Sequence, residues 1–175
     1  ARSIIDKFPN HEFAWTVLGV LLNTSGRFSE ALTATQNAVK IAPQNPQIHL
    51  NLGIILKALG RLNEAEKAYR QVITLKPNFA DAHNNLGNTL EELGQFENAE
   101  VSFNKAIALK PEYPEAHNNL GIIYEKTGRL NDAKVSYKKA IDLMPSYAEA
   151  YNNLGNTLKE LGEFENAEVS YKQAI

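Results

Sequence analysis

The sequence predicts an all-α solenoid, a stack of antiparallel helix pairs, and three observations carry that reading. All ten glycines fall into two series spaced by 34 residues: Gly19, Gly53, Gly87, Gly121, Gly155, and Gly26, Gly60, Gly94, Gly128, Gly162. Five of the seven prolines keep the same spacing, at Pro9, Pro43, Pro77, Pro111 and Pro145, as do Ala31, Ala65, Ala99, Ala133 and Ala167. Within each period the apolar residues recur at helical intervals. A fixed period of this length marks a small supersecondary unit that cannot bury its apolar face alone and must stack on its neighbours.

With Glu12 as position 1, the complete units are 12–45, 46–79, 80–113 and 114–147. A fifth, 148–175, lacks its last residues, and 1–11 reads as the tail of an earlier unit, so 1–175 is a single array.

Each unit opens with a helix whose small or apolar residues at positions 4, 7, 8 and 11, such as His83, Leu86, Gly87 and Leu90, form one buried stripe. The glycine of the second series then closes that helix, because glycine tolerates the left-handed conformation of a C-terminal cap. A short turn such as Arg61-Leu62-Asn63 leads to a second stripe, Ala65, Ala68, Tyr69, Val72 and Ile73. Asn63 is the expected N-cap of this second helix and Glu66 its capping-box partner. The periodic proline ends it, lacking an amide proton and clashing with the preceding turn. Glycine at position 8 and alanine at position 20 leave no bulk where the two helices cross. Aromatic residues fill the remaining space at position 24, as Tyr69, Phe103, Tyr137 and Tyr171, with Thr35 departing in the first unit.

Composition narrows the function classes. A chain of 175 residues with 43% hydrophobic residues buries a sizeable core, and its net charge of −2 gives no general attraction for phosphate backbones or anionic lipid. No nucleic-acid partner and no membrane partner is therefore expected. No apolar run approaches the ~20 residues that span a bilayer. The absence of cysteine excludes disulfides and thiolate chemistry, and favours a reducing, cytoplasmic setting. No phosphate-binding glycine loop remains once the two glycine series are assigned, and no serine, histidine and carboxylate set stands out, so neither cofactor nor catalysis is expected in this segment. His49, His83 and His117 recur a full repeat apart, too far to share an ion, and no metal site is expected.

Trp15, Leu18, Gly19, Leu22, Ala31, Ala38 and Pro43 resemble the signature of the tetratricopeptide repeat family, with His49, His83, His117 and Tyr151 in the tryptophan slot of later units. The resemblance covers essentially the whole chain. It implies a right-handed superhelix whose concave groove, lined by the first helices, is a scaffold for peptides or partner proteins. The phrase Ala82-His83-Asn84-Asn85-Leu86-Gly87 is similar to the arm of O-linked N-acetylglucosamine transferases and related bacterial proteins. A substrate-selecting arm of a larger enzyme, such as a glycosyltransferase, is accordingly an alternative reading, and a self-association module is another.

At about 100° per residue, positions 2, 6, 9 and 13 of the first helix lie opposite the buried stripe. Position 6 reads Asn51, Asn85, Asn119 and Asn153 after Val17, and position 5 adds Asn84, Asn118 and Asn152. Asparagine is a mediocre helix former, but its carboxamide offers the donors and acceptor that match a peptide bond. These residues are the candidate peptide-binding ladder. Co-chaperones of the family grip a terminal carboxylate with lysine at position 2, where this chain has Asp81, Glu115 and Glu149, so no carboxylate-clamp chaperone binding is expected. With Glu92 and Glu160 those acids favour basic or hydroxyl-bearing peptides, and Lys126 interrupts the run. At the chain's end, Leu158, Leu161, Tyr171 and Ile175 are expected to present an apolar face for end-to-end association with a second copy.

Overall fold

The computed structural model describes residues 11–175, so the tail expected over 1–11 lies, apart from His11, outside the described residues. The described residues form ten α-helices and no strand. They are α1 Glu12–Thr24, α2 Phe28–Ile41, α3 Pro46–Ala58, α4 Leu62–Leu75, α5 Ala80–Glu92, α6 Phe96–Leu109, α7 Pro114–Lys126, α8 Leu130–Leu143, α9 Ala148–Glu160 and α10 Phe164–Gln173. This is the all-α solenoid the periodicity predicts. The chain divides into two compact units, Ala1–Thr89 and Leu90–Ile175, the division falling inside α5.

The first helix of each pair ends in the same way. Gly26, Gly60, Gly94, Gly128 and Gly162 all have φ between 71° and 78°. Beyond each, an amide reaches back across the last turn, as in Arg27 N–H to the Leu22 carbonyl at 2.9 Å and Arg129 N–H to the Tyr124 carbonyl at 2.8 Å. Those bonds satisfy carbonyls that a helix end otherwise leaves open.

The start of the second helix departs from expectation. Helix α4 begins at Leu62 with Arg61 as N-cap, so Asn63 sits exposed inside the first turn and caps nothing. Arg61 instead holds both Glu64 carboxylate oxygens with its Nε and Nη2, each at 2.7 Å, and Glu66 pairs with Arg70 at 2.8 Å. Arg27 and Glu30 repeat the arrangement in α2, placing an acid where the helix dipole favours one. A side-chain cap is found at α3, where Asn45 Oδ1 accepts from Gln47 N–H at 3.0 Å and Pro46 occupies the first turn.

Inside a pair, the position-8 glycine makes room for a ring. A Cβ on Gly53 would stand 2.5 Å from Tyr69 Cε1, and one on Gly121 or Gly155 the same distance from Cε1 of Tyr137 or Tyr171. In the first pair Thr35 takes the ring's place, and its hydroxyl is the atom nearest Gly19. In the second unit Ala133, Tyr137, Leu154, Leu158 and Ala167 form one buried cluster, against which Ile122, Tyr124, Ile141 and Tyr171 pack.

Opposite signs of effect make this contact testable. Helix propensity alone makes Gly121→Ala stabilising by about 1 kcal/mol. Overlap with the buried Tyr137 ring reverses that, and the substitution is expected to destabilise by about 1–3 kcal/mol in urea unfolding. A more stable Gly121→Ala variant would refute the ring-on-glycine account.

Candidate functional site

Helices α3, α5, α7 and α9 carry the position-6 asparagines, and Asn51, Asn85, Asn119 and Asn153 are all half-buried. In the first unit Gln47 Nε2 lies 3.3 Å from Asn51 Oδ1, one helical turn away. The flanking acids Asp81, Glu115 and Glu149 are exposed, as are Glu92 and Glu160. Lys126, which interrupts the acidic run, is engaged by Glu91 at 2.5 Å.

Position 5 behaves differently from its neighbour. Asn84 is 5% exposed and Asn118 fully buried, so the expectation that both line a peptide surface is corrected. About 100° of helical rotation separates them from position 6 and turns them into the stack. Asn118 Nδ2 donates to Glu149 Oε1 at 3.3 Å, and its Oδ1 accepts from Asn153 Nδ2 at 3.1 Å. It also hydrogen-bonds the Tyr147 hydroxyl. Burial, together with Glu149 and Glu115, pushes that hydroxyl's pKa up to about 12, against which the Asn118 bond acts in the other direction. Asn118 is thus the polar joint between α7 and α9. Asn152, at position 5 of the last pair, is exposed.

A second polar joint, which sequence reasoning missed, centres on Glu125. The buried Tyr137 donates its hydroxyl to Glu125 Oε2 at 3.0 Å, and Thr157 Oγ1 lies 3.3 Å from the same oxygen. Burial first and the Glu125 carboxylate second hold the Tyr137 hydroxyl far above its ordinary pKa. Glu125 also lines an open cavity of about 340 Å³ with Asn156, Lys159, Glu160 and the exposed ring of Phe164. No signal in one sequence marks Glu125, because position 12 changes from unit to unit: Asn23, Lys57, Glu91, Glu125, Lys159. Phe164 was missed too, although a signal exists, since position 17 is always phenylalanine or leucine: Phe28, Leu62, Phe96, Leu130, Phe164.

The sequence model of the TPR repeat matches residues 19–60, 55–94, 87–128 and 126–162. The chain belongs to the tetratricopeptide repeat family. Proteins of this family are generally non-catalytic scaffolds for protein interaction. Among solved structures, MamA is similar at 27% identity and a TM-score of 0.82, over 90% of this chain and 92% of MamA. Pseudomonas aeruginosa PilF superposes with a TM-score of 0.86 at 22% identity, over 93% of this chain and 74% of that one. YrrB, whose structure is described as a TPR protein with an unusual peptide-binding site, aligns over 99% of this chain and 90% of its own, at 20% identity and a TM-score of 0.77. Comparison with curated proteins found no match.

Within this TPR array the histidines of the tryptophan slot have a common structural role. Nε2 of His49, His83 and His117 lies 2.8, 3.0 and 3.0 Å from the carbonyls of Pro43, Pro77 and Pro111, fastening each first helix to the loop before it. Burial lowers the pKa of His117, the carbonyl bond opposing it. Among the described residues no group of three metal-binding side chains comes together, and no helix is long and apolar enough to cross a membrane. The expected association face is also corrected in part. Leu158 is 2% exposed within the core cluster, Leu161 and Tyr171 are half-buried, and only Ile175 is fully exposed. The Tyr171 hydroxyl donates to Asn156 Oδ1 at 2.9 Å.

Two expectations follow from the Asn118 joint. Asn118→Ala is expected to lower stability in urea by about 1–2 kcal/mol, while Asn152→Ala at the equivalent exposed position stays within about 0.5 kcal/mol; equal effects would show that the joint carries no energy. The raised Tyr147 pKa means the folded state holds its proton more tightly than the unfolded chain. That contribution is complete below pH 10 and is lost as pH rises through about 12, so Tyr147→Phe should flatten the loss of stability over that window.

Proposed function

We propose that this chain is a protein-interaction scaffold that holds an extended polypeptide segment along the open face of its first helices. The observation carrying this reading is the register of Asn51, Asn85, Asn119 and Asn153, one half-buried carboxamide at the same turn of successive first helices. Each costs up to about 0.7 kcal/mol of helix propensity relative to alanine, so propensity does not account for the repeated choice. A carboxamide donates and accepts with the geometry of a peptide bond, so it grips backbone and is indifferent to ligand side chains. Selectivity then comes from Asp81, Glu115 and Glu149, which favour lysine, arginine or hydroxyl side chains and disfavour a free C-terminal carboxylate. YrrB, a neighbour of the same fold described as having a peptide-binding site, supports the choice of ligand class.

An unbiased peptide array supplies the ligands, and fluorescence anisotropy then ranks them. Asn119→Ala combined with Asn51→Ala is expected to weaken binding about tenfold or more with helicity unchanged. Glu115→Lys combined with Glu149→Lys should shift preference from basic towards acidic peptides. Binding indifferent to both pairs would rule out this face.

A further inference from the structure

The second helices of the second unit carry an apolar row used neither by the core nor by the proposed peptide face. Val101, Val135 and Val169 occupy the same position of α6, α8 and α10 and are 69%, 67% and 59% exposed. Single exposed apolar residues are ordinary. A β-branched residue repeated on the solvent face of three helices is less so, because valine is a poorer helix former than lysine and gains nothing from solvation. The corresponding position is Thr33 in α2 and Lys67 in α4, so the repeat itself does not require valine.

The charges around the row are ordered. One turn towards each helix N-terminus stand the exposed Glu97, Asp132 and Glu165. One turn towards the C-terminus stand the exposed Lys105, Lys138 and Lys172. Residues three or four apart are neighbours on a helix, so every valine has an acid on one side and a base on the other.

We propose that this face pairs with the same face of a second copy, about a twofold axis that runs along the valine row. An isologous contact sets a patch against itself. With the axis along the row, the facing helices run antiparallel, valine meets valine, and the acidic edge of each copy lies over the basic edge of the other. An axis parallel to the helices would set acid over acid and base over base, so the charge order selects one of the two arrangements. Three helix faces place the contact at the lower end of the ~800 Å² per partner of a standard interface, giving a dimer that dissociates on the order of micromolar concentration.

Sedimentation equilibrium across a concentration series tests this. The wild-type chain is expected to dimerise reversibly, and Val135→Lys to weaken the dimer roughly a hundredfold, because the new charge faces its twin across the axis. Lysine is the better helix former, and unchanged circular dichroism confirms that the variant folds. In a second arm, the chain with Glu97→Lys, Asp132→Lys and Glu165→Lys and the chain with Lys105→Glu, Lys138→Glu and Lys172→Glu should each fail to self-associate yet form a heterodimer when mixed. A wild-type chain that stays monomeric throughout overturns the proposal. So does a dimer that survives Val135→Lys, which would place the contact elsewhere. These positions lie outside the peptide face, so either result leaves the ligand experiment independent.

Discussion

The contact on which the rest of this structure depends is the seating of an aromatic ring from the second helix against a glycine of the first. At Gly53, Gly121 and Gly155 the tyrosine ring occupies the space a Cβ would take. That fixes how closely the two helices of a pair approach and which side of the first helix faces its partner. The opposite side, which carries position 6, is thereby turned away from the partner helix in these three pairs. Because the contact recurs with the 34-residue period, a residue type repeated in the sequence becomes a row on a surface. Within the second unit, the valine row on the second helices is a product of that packing rule.

Between pairs the interactions divide by kind. Apolar burial supplies the energy: Leu154 and Leu158 alone, each at least 95% buried, contribute about 1.5–3 kcal/mol apiece. The polar contacts add little by comparison. Lys134 with Glu163 at 2.6 Å, Lys126 with Glu91, and Arg129 with Glu100 are all partly exposed pairs, each worth about 0–1 kcal/mol. In the first unit Asn45 Nδ2 reaches Glu12 Oε1 at 2.6 Å in the same manner. What these contacts contribute is register, since a slip between pairs would break several of them at once while leaving an apolar seam almost as well buried.

Periodicity made the helices, the glycine caps that close the first helices and the ring positions legible, because each rests on a residue whose physical constraint is local. A positive φ asks for glycine wherever it occurs, and a proline stops a helix everywhere but in its first turn. The failures are equally physical. Asn63 looked like an N-cap because asparagine usually is one, but the helix starts one residue before it, with Arg61 and Glu64 joined across the first turn. Leu158 looked like an exposed end because the stripe pattern identifies which residues are apolar and not what covers them; α8 and α10 contribute residues to the same buried cluster. Glu125 was illegible because its role depends on Tyr137 and Thr157, 12 and 32 residues away and joined to it only by folding.

The doubled asparagines carry the most instructive distinction. Asn118 and Asn119 are adjacent and chemically identical, yet one is fully buried between helices and the other stands half-buried on the first-helix face. A buried carboxamide is tolerated only when its donors and acceptor are met, and Asn118 meets them with Glu149, Asn153 and Tyr147. Asn153, itself a position-6 residue, therefore already donates one proton to the joint. A polypeptide held on this face would accordingly pull on a side chain that also links α7 to α9. If the proposed peptide is held here, its grip on Asn153 is coupled through that one amide to the register of α7 and α9.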